Sequence, residues 1–244
     1  MGNVCHAITP PPVAALPIAR SHYCRLNAAF PKRQVANIHK MESAPKFKLI
    51  LGSSSIARRT ILTDMGYEFT TMCADIDEKG IRKGKPEDLV MALAEAKADA
   101  IISKLQMGES LESDATPTLL LSADTVVVYE GIVREKPSNK EEARQFMKDY
   151  SNGHASTVSS VLVSNLKTGV RRGDWDRVEI YFHTIPEENI DKLIDEGTVL
   201  YVAGGLIIED PLVLPCIKEV VGTTDSVMGL PKALTEKLIK EVLA

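Results

Sequence analysis

The stretch LLLSADTVVVYEGIV, residues 119–133, decides the fold. Residues 119–129 are rich in Leu and Val, a composition typical of a buried β-strand, and the dipeptide Glu130-Gly131 then favours a tight turn. Such a turn reverses the chain into an antiparallel neighbour. A sheet built around this strand therefore cannot be purely parallel.

Asp124 is the one charged residue inside the run 119–129. A carboxylate in an apolar strand raises the free energy of the fold unless it is paired, hydrogen-bonded or bound to a metal. Holding a metal or polarising a water molecule would compensate for that cost, and so would structural hydrogen bonds from nearby backbone N–H groups. Asp124 is therefore the first candidate for a catalytic or metal-binding residue.

Strands and helices alternate on both sides of this stretch. Before it, residues 67–74 favour a strand. After it, Ser138 and Glu141 have the spacing of a capping box that opens a helix. Further strands are predicted at 47–51, 157–164 and 177–183, and further helices at 58–66, 86–105 and 231–243. No internal repeat interrupts the alternation. It predicts one α/β domain over residues 45–244, with a mixed sheet flanked by helices.

The composition is that of an ordinary globular protein, with 44% hydrophobic and 25% charged residues in a chain of 244. No apolar run reaches the roughly 18 residues of a membrane span. The four cysteines contain no CxxC pair, which favours a reducing compartment over a zinc site or a disulfide framework. We therefore expect a cytoplasmic protein without a membrane partner.

Residues 1–44 form an N-terminal extension of different character. Residues 1–41 contain five basic and no acidic residues, so the net charge of −4 leaves −9 on the rest of the chain. An acidic body argues against nucleic-acid binding, which needs a basic face. The extension itself is compatible with a disordered tail, with an upstream start before Met41, or with a peptide that targets an organelle.

The segment Ser53-Ser54-Ser55-Ile56-Ala57-Arg58-Arg59 is a candidate phosphate site. It carries hydroxyls from the end of a strand to the start of a helix, where free N–H groups and the positive end of the helix dipole favour anions. Two arginines follow within the first turn. An ordinary serine cap with surface arginines is an equally good interpretation of these residues alone.

Other charged residues near Asp124 have competing interpretations. Lys136 follows the predicted turn closely enough to reach the same cleft, whereas Asp77-Glu78 could be part of a solvated loop. Lys97, on the helix 86–105, could be an ordinary surface lysine. The segment GIRKGK, residues 80–85, is one residue shorter than a P-loop and lacks Ser or Thr after its last lysine, so we interpret it as a solvated basic loop.

Taken in order, these motifs resemble those of the Maf-like family of nucleotide pyrophosphatases over about residues 46–244. Ser122 to Val127 reads Ser-Ala-Asp-Thr-Val-Val, which is the family's signature unchanged. The other matched residues are Ser53, Ser55, Arg58, Asp77, Glu78, Lys97, Lys136, Pro137, Glu142, Ala143, Gly229, Leu230 and Pro231.

The resemblance implies an inosine-triphosphatase-like architecture in which two lobes enclose a nucleotide cleft. It implies hydrolysis of a nucleoside triphosphate to the monophosphate and pyrophosphate, with a divalent cation, Mg²⁺ or Mn²⁺, as cofactor. It assigns catalysis to Asp124 and Lys136, metal binding to Asp124 and Glu78, and substrate binding to Ser53, Ser55, Arg58, Arg59, Lys97 and Glu209. The expected partner is the nucleoside triphosphate, and a homodimer is left open.

The resemblance also bears on the base of the nucleotide. The family's dTTP and UTP branch has Gln where Glu209 stands and Lys where Val202 stands, whereas its 7-methyl-GTP branch has Glu and the pair Arg58-Arg59. The sequence therefore favours a modified guanine nucleotide such as 7-methyl-GTP, with dTTP or UTP as the alternative. The chain departs from the common family pattern at Ile56 (usually Pro), Glu135 (often Gly) and Ser156 (often His).

A second class of function is a non-catalytic nucleotide-binding regulator of cell division, because the family has been linked to division arrest. Intact Asp124 and Lys136 argue against lost chemistry. A small-molecule transferase is a third class, but the chain has no GxGxxG or other cofactor motif to support it.

Overall fold

The computed structural model describes residues 47–107 and 116–244, and the N-terminal extension with its alternative interpretations lies outside the described residues. The elements in chain order are β1 Lys48–Leu51, α1 Ile56–Asp64, β2 Thr70–Thr71, α2 Pro86–Met107, β3 Thr118–Tyr129, β4 Ile132–Arg134, α3 Lys140–Tyr150, β5 His154–Asn165, β6 Arg171–Phe182, α4 Glu187–Glu196, β7 Ile217–Val221, α5 Thr224–Val227 and α6 Lys232–Leu243. Within these two ranges no helix combines the length and apolar character needed to cross a membrane.

Strand β3 is central to a seven-stranded mixed sheet. The strand order is β2-β1-β3-β5-β6-β7, and β4 pairs with β3 outside this path. β1 is parallel to both β2 and β3, whereas β4 and β5 pair with β3 antiparallel. The β3–β4 pairing arises from the predicted turn, where Glu130 and Gly131 both have positive φ. The α/β class with a mixed sheet flanked by helices is confirmed.

Two local predictions differ from the structure. The predicted strand at 67–74 is reduced to Thr70–Thr71. Among the described strands it pairs with β1, which ends at Leu51 where the chain turns towards α1. The capping box of α3 lies one residue later than predicted. Asn139 accepts a hydrogen bond from the N–H of Glu142 at 2.8 Å, and the Glu142 carboxylate accepts one from the N–H of Ser138 at 2.6 Å. Asn caps a helix as well as Ser does.

Helix α2 covers one face of the sheet. Alternate residues of β3 point to this face, and Leu120, Val126 and Val128 pack against the helix. Two sheet hydroxyls donate to α2 carbonyl oxygens: Ser122 to Ala94 at 2.9 Å and Ser160 to Val90 at 2.7 Å. These bonds fix the position of the helix along the strands.

The opposite face carries two separate hydrophobic clusters. Leu119, Leu121 and Ala123 of β3 pack in one cluster with α1 and α6, and Val127 packs in the other with α3 and α4. Thr125 lies between them on the same face of the strand. The opposite face thus carries two hydrophobic cores, one on each side of Thr125. The two lobes that the resemblance implies stay a prediction.

Candidate active site

The predicted phosphate segment forms the connection from β1 to α1. Ser55 is the N-cap residue of α1, and its hydroxyl accepts from the Arg58 N–H at 3.3 Å. The Ser53 hydroxyl accepts from the N–H of Ser55 at 3.2 Å. Both hydroxyls therefore shape the start of the helix.

Arg58 connects segments that are distant in the chain. Its guanidinium donates to the Gly229 carbonyl at 2.9 Å, to the Ala123 carbonyl at 3.0 Å, to Thr125 Oγ1 at 3.0 Å and to Ser53 Oγ at 3.2 Å. An arginine has five N–H donors, so one remains for a ligand. The geometry therefore gives Arg58 mainly a positioning role, with one N–H available for a phosphate oxygen.

Gly229 packs directly against this guanidinium with φ of +98°. A Cβ at this position would lie 2.8 Å from Thr125 Oγ1 and 3.2 Å from Arg58 Nε. A side chain would also be strained by the backbone conformation. The matched Gly-Leu-Pro segment thus begins with a glycine that the site requires, and it continues with Leu230, which is fully buried.

Gly229→Ala is expected to lower the free energy of unfolding by about 1–2 kcal/mol, because it combines backbone strain with a steric contact. Chemical denaturation of both proteins measures the difference. Gly84→Ala serves as the control, since a Cβ at Gly84 would meet no atom within 4 Å and its backbone has no positive φ. Equal stability of the two variants would show that the contact with Arg58 and Thr125 has no energetic weight.

Lys97 lies between two carboxylates. Its ammonium nitrogen is 2.5 Å from Asp124 Oδ1 and 2.9 Å from Glu78 Oε1. The side chains of Lys97 and Asp124 are only 12% and 10% exposed, so their attraction is weakly screened. The structure thus brings together three of the predicted site residues from α2, β3 and the turn Glu78–Gly80.

The pKa values of the two carboxyl groups shift in opposite directions from their ordinary values. Burial raises the pKa of Asp124 above its ordinary value, and the positive charges of Lys97 and Arg58 offset only part of this. Burial also raises the pKa of Glu78, but Lys97, Lys136 and Arg58 together outweigh it, so this pKa lies below its ordinary value. Burial therefore dominates the pKa of Asp124, whereas the surrounding positive charges together dominate that of Glu78.

The carboxylates of Asp124 and Glu78 could together provide two ligands for a divalent cation. The oxygens Asp124 Oδ2 and Glu78 Oε2 accept no hydrogen bond from the described residues, so each group keeps one oxygen for another ligand. Residues 47–107 and 116–244 hold no cluster of three or more His, Cys, Asp or Glu that could bind a metal by themselves. The pair therefore suits Mg²⁺ or a similar ion that completes its coordination with water and substrate phosphates.

A cavity of about 350 Å³ borders the turn that carries Glu78. Lys79, the chain neighbour of Glu78, lines it, together with Arg82 and Lys83 of the following loop and Lys136 after β4. Lys136 is exposed, and its charge acts on the Glu78 carboxyl. The structure therefore brings the predicted catalytic residue Lys136 to the same region as Glu78 and Lys97.

Two predicted substrate-binding residues lie apart from this arrangement. Arg59 is exposed on α1, and no described side chain pairs with its guanidinium. Glu209 is exposed after the turn Ala203–Gly205 and does not line the cavity. Their roles towards a substrate stay predictions.

Sequence reasoning missed the acceptors of Arg58 and the basic loop that lines the cavity. Thr125 and Gly229 form these contacts only because β3 and the segment before α6 meet at α1. The basic residues from Lys79 to Lys83 were visible as a charge run, but the cavity wall opposite them is more than fifty residues away in the chain. Local sequence carries no signal for that contact.

Comparison with known proteins shows the family of this chain. A family model described as Maf-like protein matches residues 48–242. A 7-methyl-GTP pyrophosphatase of Dictyostelium discoideum is 39% identical over 194 residues, which cover 80% of this chain and 96% of the relative. A nucleoside triphosphate pyrophosphatase of Chlamydia muridarum is 30% identical over 80% of this chain and 93% of the relative. A dTTP/UTP pyrophosphatase of Alkaliphilus metalliredigens is 29% identical over 75% of this chain and 90% of the relative. The chain belongs to the Maf-like family.

Proposed function

We propose that this chain is a nucleoside triphosphate pyrophosphatase, which hydrolyses a nucleoside triphosphate to the monophosphate and pyrophosphate. The observation that carries the proposal is the meeting of Glu78, Lys97 and Asp124 beside a cavity lined by basic side chains. Carboxylates can activate water and bind a cation, and basic groups can neutralise phosphates. The printed names of the relatives from three organisms support the same activity.

In the proposed reaction, each group has a separate role. Asp124, whose pKa is raised by burial, accepts a proton from the water that attacks the α-phosphorus. The bond from this phosphorus to the bridging oxygen breaks, and pyrophosphate leaves with the electron pair. Lys97 holds Asp124 and Glu78 in place with two of its three N–H groups, which leaves the third for a phosphate oxygen.

Asp124 and Glu78 are the residues that would hold a divalent cation. When bound, such a cation draws negative charge from the phosphate oxygens and orients them. Lys136 lies on the cavity side of Glu78 and contributes positive charge near the same oxygens.

Incubation of the purified chain with a panel of nucleotides tests the proposal. The panel contains the common ribo- and deoxyribonucleoside triphosphates and 7-methyl-GTP, each with Mg²⁺ or Mn²⁺. The expected products are pyrophosphate and monophosphate in equal amounts. Release of orthophosphate would indicate a phosphatase instead, and tight binding without products would indicate the non-catalytic regulator.

Within this activity, a modified guanine nucleotide such as 7-methyl-GTP is the preferred substrate. The Dictyostelium relative of that name has the higher identity, 39% against 29% for the Alkaliphilus dTTP/UTP pyrophosphatase. Glu209 gives a physical reason, because a carboxylate can accept hydrogen bonds from the N1–H and amino groups of guanine and complements a cationic methylated ring. Preference for dTTP or UTP would reject this assignment while leaving the pyrophosphatase activity intact.

Glu209→Gln is expected to reduce the preference for the guanine-type nucleotide by about 5- to 150-fold, because the neutral amide loses the charge-assisted hydrogen bonds to the guanine edge and the attraction to a cationic methylated ring. The ratio of kcat/KM for 7-methyl-GTP to that for UTP measures it. Glu196→Gln is the matched control, since Glu196 is also exposed and forms no ion pair with the described residues. An unchanged ratio would show that Glu209 does not select the base.

A further inference from the structure

The cavity beside Glu78 contains more positive charge than its own acids neutralise. Of its five basic residues, Arg82 pairs with Glu135 at 3.2 Å, and Arg134 pairs with Asp149 and stacks on aromatic rings. Lys79, Lys83 and Lys136 form no ion pair within the part of the chain that the structure describes. The second acid on the wall, Glu142, is already hydrogen-bonded to the backbone N–H of Ser138. Three ammonium groups therefore line one cavity without forming an ion pair among the described residues.

Arg82 connects the basic loop to the opposite wall of the cavity. Arg82 donates to the Ile81 carbonyl at 2.9 Å and to Glu135 Oε1 at 3.2 Å, so the loop is tied to the wall that carries Lys136. Glu135, the residue before Lys136, is the acceptor on that wall.

The turn Glu78–Gly80 connects the cavity to the group formed by Glu78, Lys97 and Asp124. Glu78 and Lys79 are adjacent in one short turn, yet Glu78 contacts Lys97 while Lys79 lines the cavity. A ligand whose reacting phosphate lies at Asp124 and Glu78 would extend its remaining charge past this turn. The volume of about 350 Å³ lies at the lower end of the range of about 300–1,000 Å³ for small-molecule sites.

We propose that Lys79, Lys83 and Lys136 form a subsite for the two outer phosphates of the substrate, which also binds the pyrophosphate product. The subsite rests on the proposed function, since it defines the end of the nucleotide that leaves. It gives a role to the basic segment 80–85, which the sequence alone favours as a solvated loop.

Binding of inorganic pyrophosphate, measured by isothermal titration calorimetry with Mg²⁺ at fixed ionic strength, tests the subsite. Lys83→Ala is expected to weaken binding about tenfold, and Lys79→Ala/Lys83→Ala further, because each change removes a charged donor. Lys85→Ala is the matched control: Lys85 is exposed in the same loop but does not line the cavity, so its change should alter binding less than about twofold. GMP, which lacks the outer phosphates, should bind all four proteins alike.

Several results would overturn the subsite. These are wild-type protein that does not bind pyrophosphate, a double variant that binds it as tightly as wild type, and a Lys85→Ala loss equal to that of Lys83→Ala. A parallel loss of GMP binding would also reject it, because the cavity would then hold the nucleoside. Pyrophosphate binding needs no turnover, so a nucleotide panel without products would reject the proposed function separately.

Discussion

Replacing Asp124 with Asn is expected to lower kcat by about 10² or more while the chain stays folded. The amide keeps the size of the side chain but cannot accept the proton of the attacking water, and it is a poorer ligand for a cation. Lys97 retains its ion pair with Glu78 at 2.9 Å, so the ammonium is not left unpaired. Steady-state pyrophosphate release at saturating Mg²⁺ or Mn²⁺, together with a thermal melt, measures both parts of the prediction.

Asp75→Asn is the matched control for this substitution. Asp75 is exposed and lies three residues before Glu78, so Asp75→Asn makes the same change from carboxylate to amide on the surface. Its variant should keep kcat within about a factor of two, because long-range interactions of exposed charges are screened. A folded Asp124→Asn variant with near-native turnover would show that Asp124 is structural and that another group activates the water.

Arg58→Lys is expected to lower the free energy of unfolding by about 2–4 kcal/mol and to reduce kcat/KM more than tenfold. Lysine keeps the charge but concentrates its donors on one atom. It cannot reach Ser53, Thr125 and the carbonyls of Ala123 and Gly229 at once, so buried acceptors lose their donors. Denaturant unfolding and steady-state kinetics measure the two effects.

Arg59→Lys separates this positioning role from a simple charge effect. Arg59 is the next residue on α1 and is exposed, so its replacement should change stability by less than about 0.5 kcal/mol. If Arg58→Lys proved equally mild, the hydrogen bonds from the guanidinium would contribute little. A variant with raised KM and unchanged stability would instead make Arg58 chiefly a phosphate ligand.

The centre of the fold could be predicted because its signals are local. The apolar run of β3, the turn at Glu130-Gly131 and the serine cap of α1 each depend on neighbours in the chain. The limits of β2 depend instead on where its partner β1 ends, and two-residue pairing at a sheet edge leaves no distinct pattern in the sequence. Asn139 is the residue that caps α3, but Ser138 beside it fits the same motif.

The site was predictable where one residue broke a pattern. Asp124 interrupts an apolar strand, and the structure places it next to Lys97 and Glu78. The position of Lys97 also has a signal in the sequence: it lies four residues after Leu93 and four before Ile101, both buried, so it belongs to the buried side of α2. The contacts of Arg58 and the cavity had no such signal, because they depend on segments distant in the chain.

The two serines that hold α2 against the sheet have a consequence for the energy of the reaction. Val90 and Ala94, their acceptors, lie one helical turn apart, and Lys97 follows on the next turn. If α2 slid by a residue, both bonds would break and the ammonium would leave Asp124. In the proposed reaction, the charges of Lys97 and Asp124 are consequently oriented when the chain folds, and little reorganisation remains for each catalytic cycle.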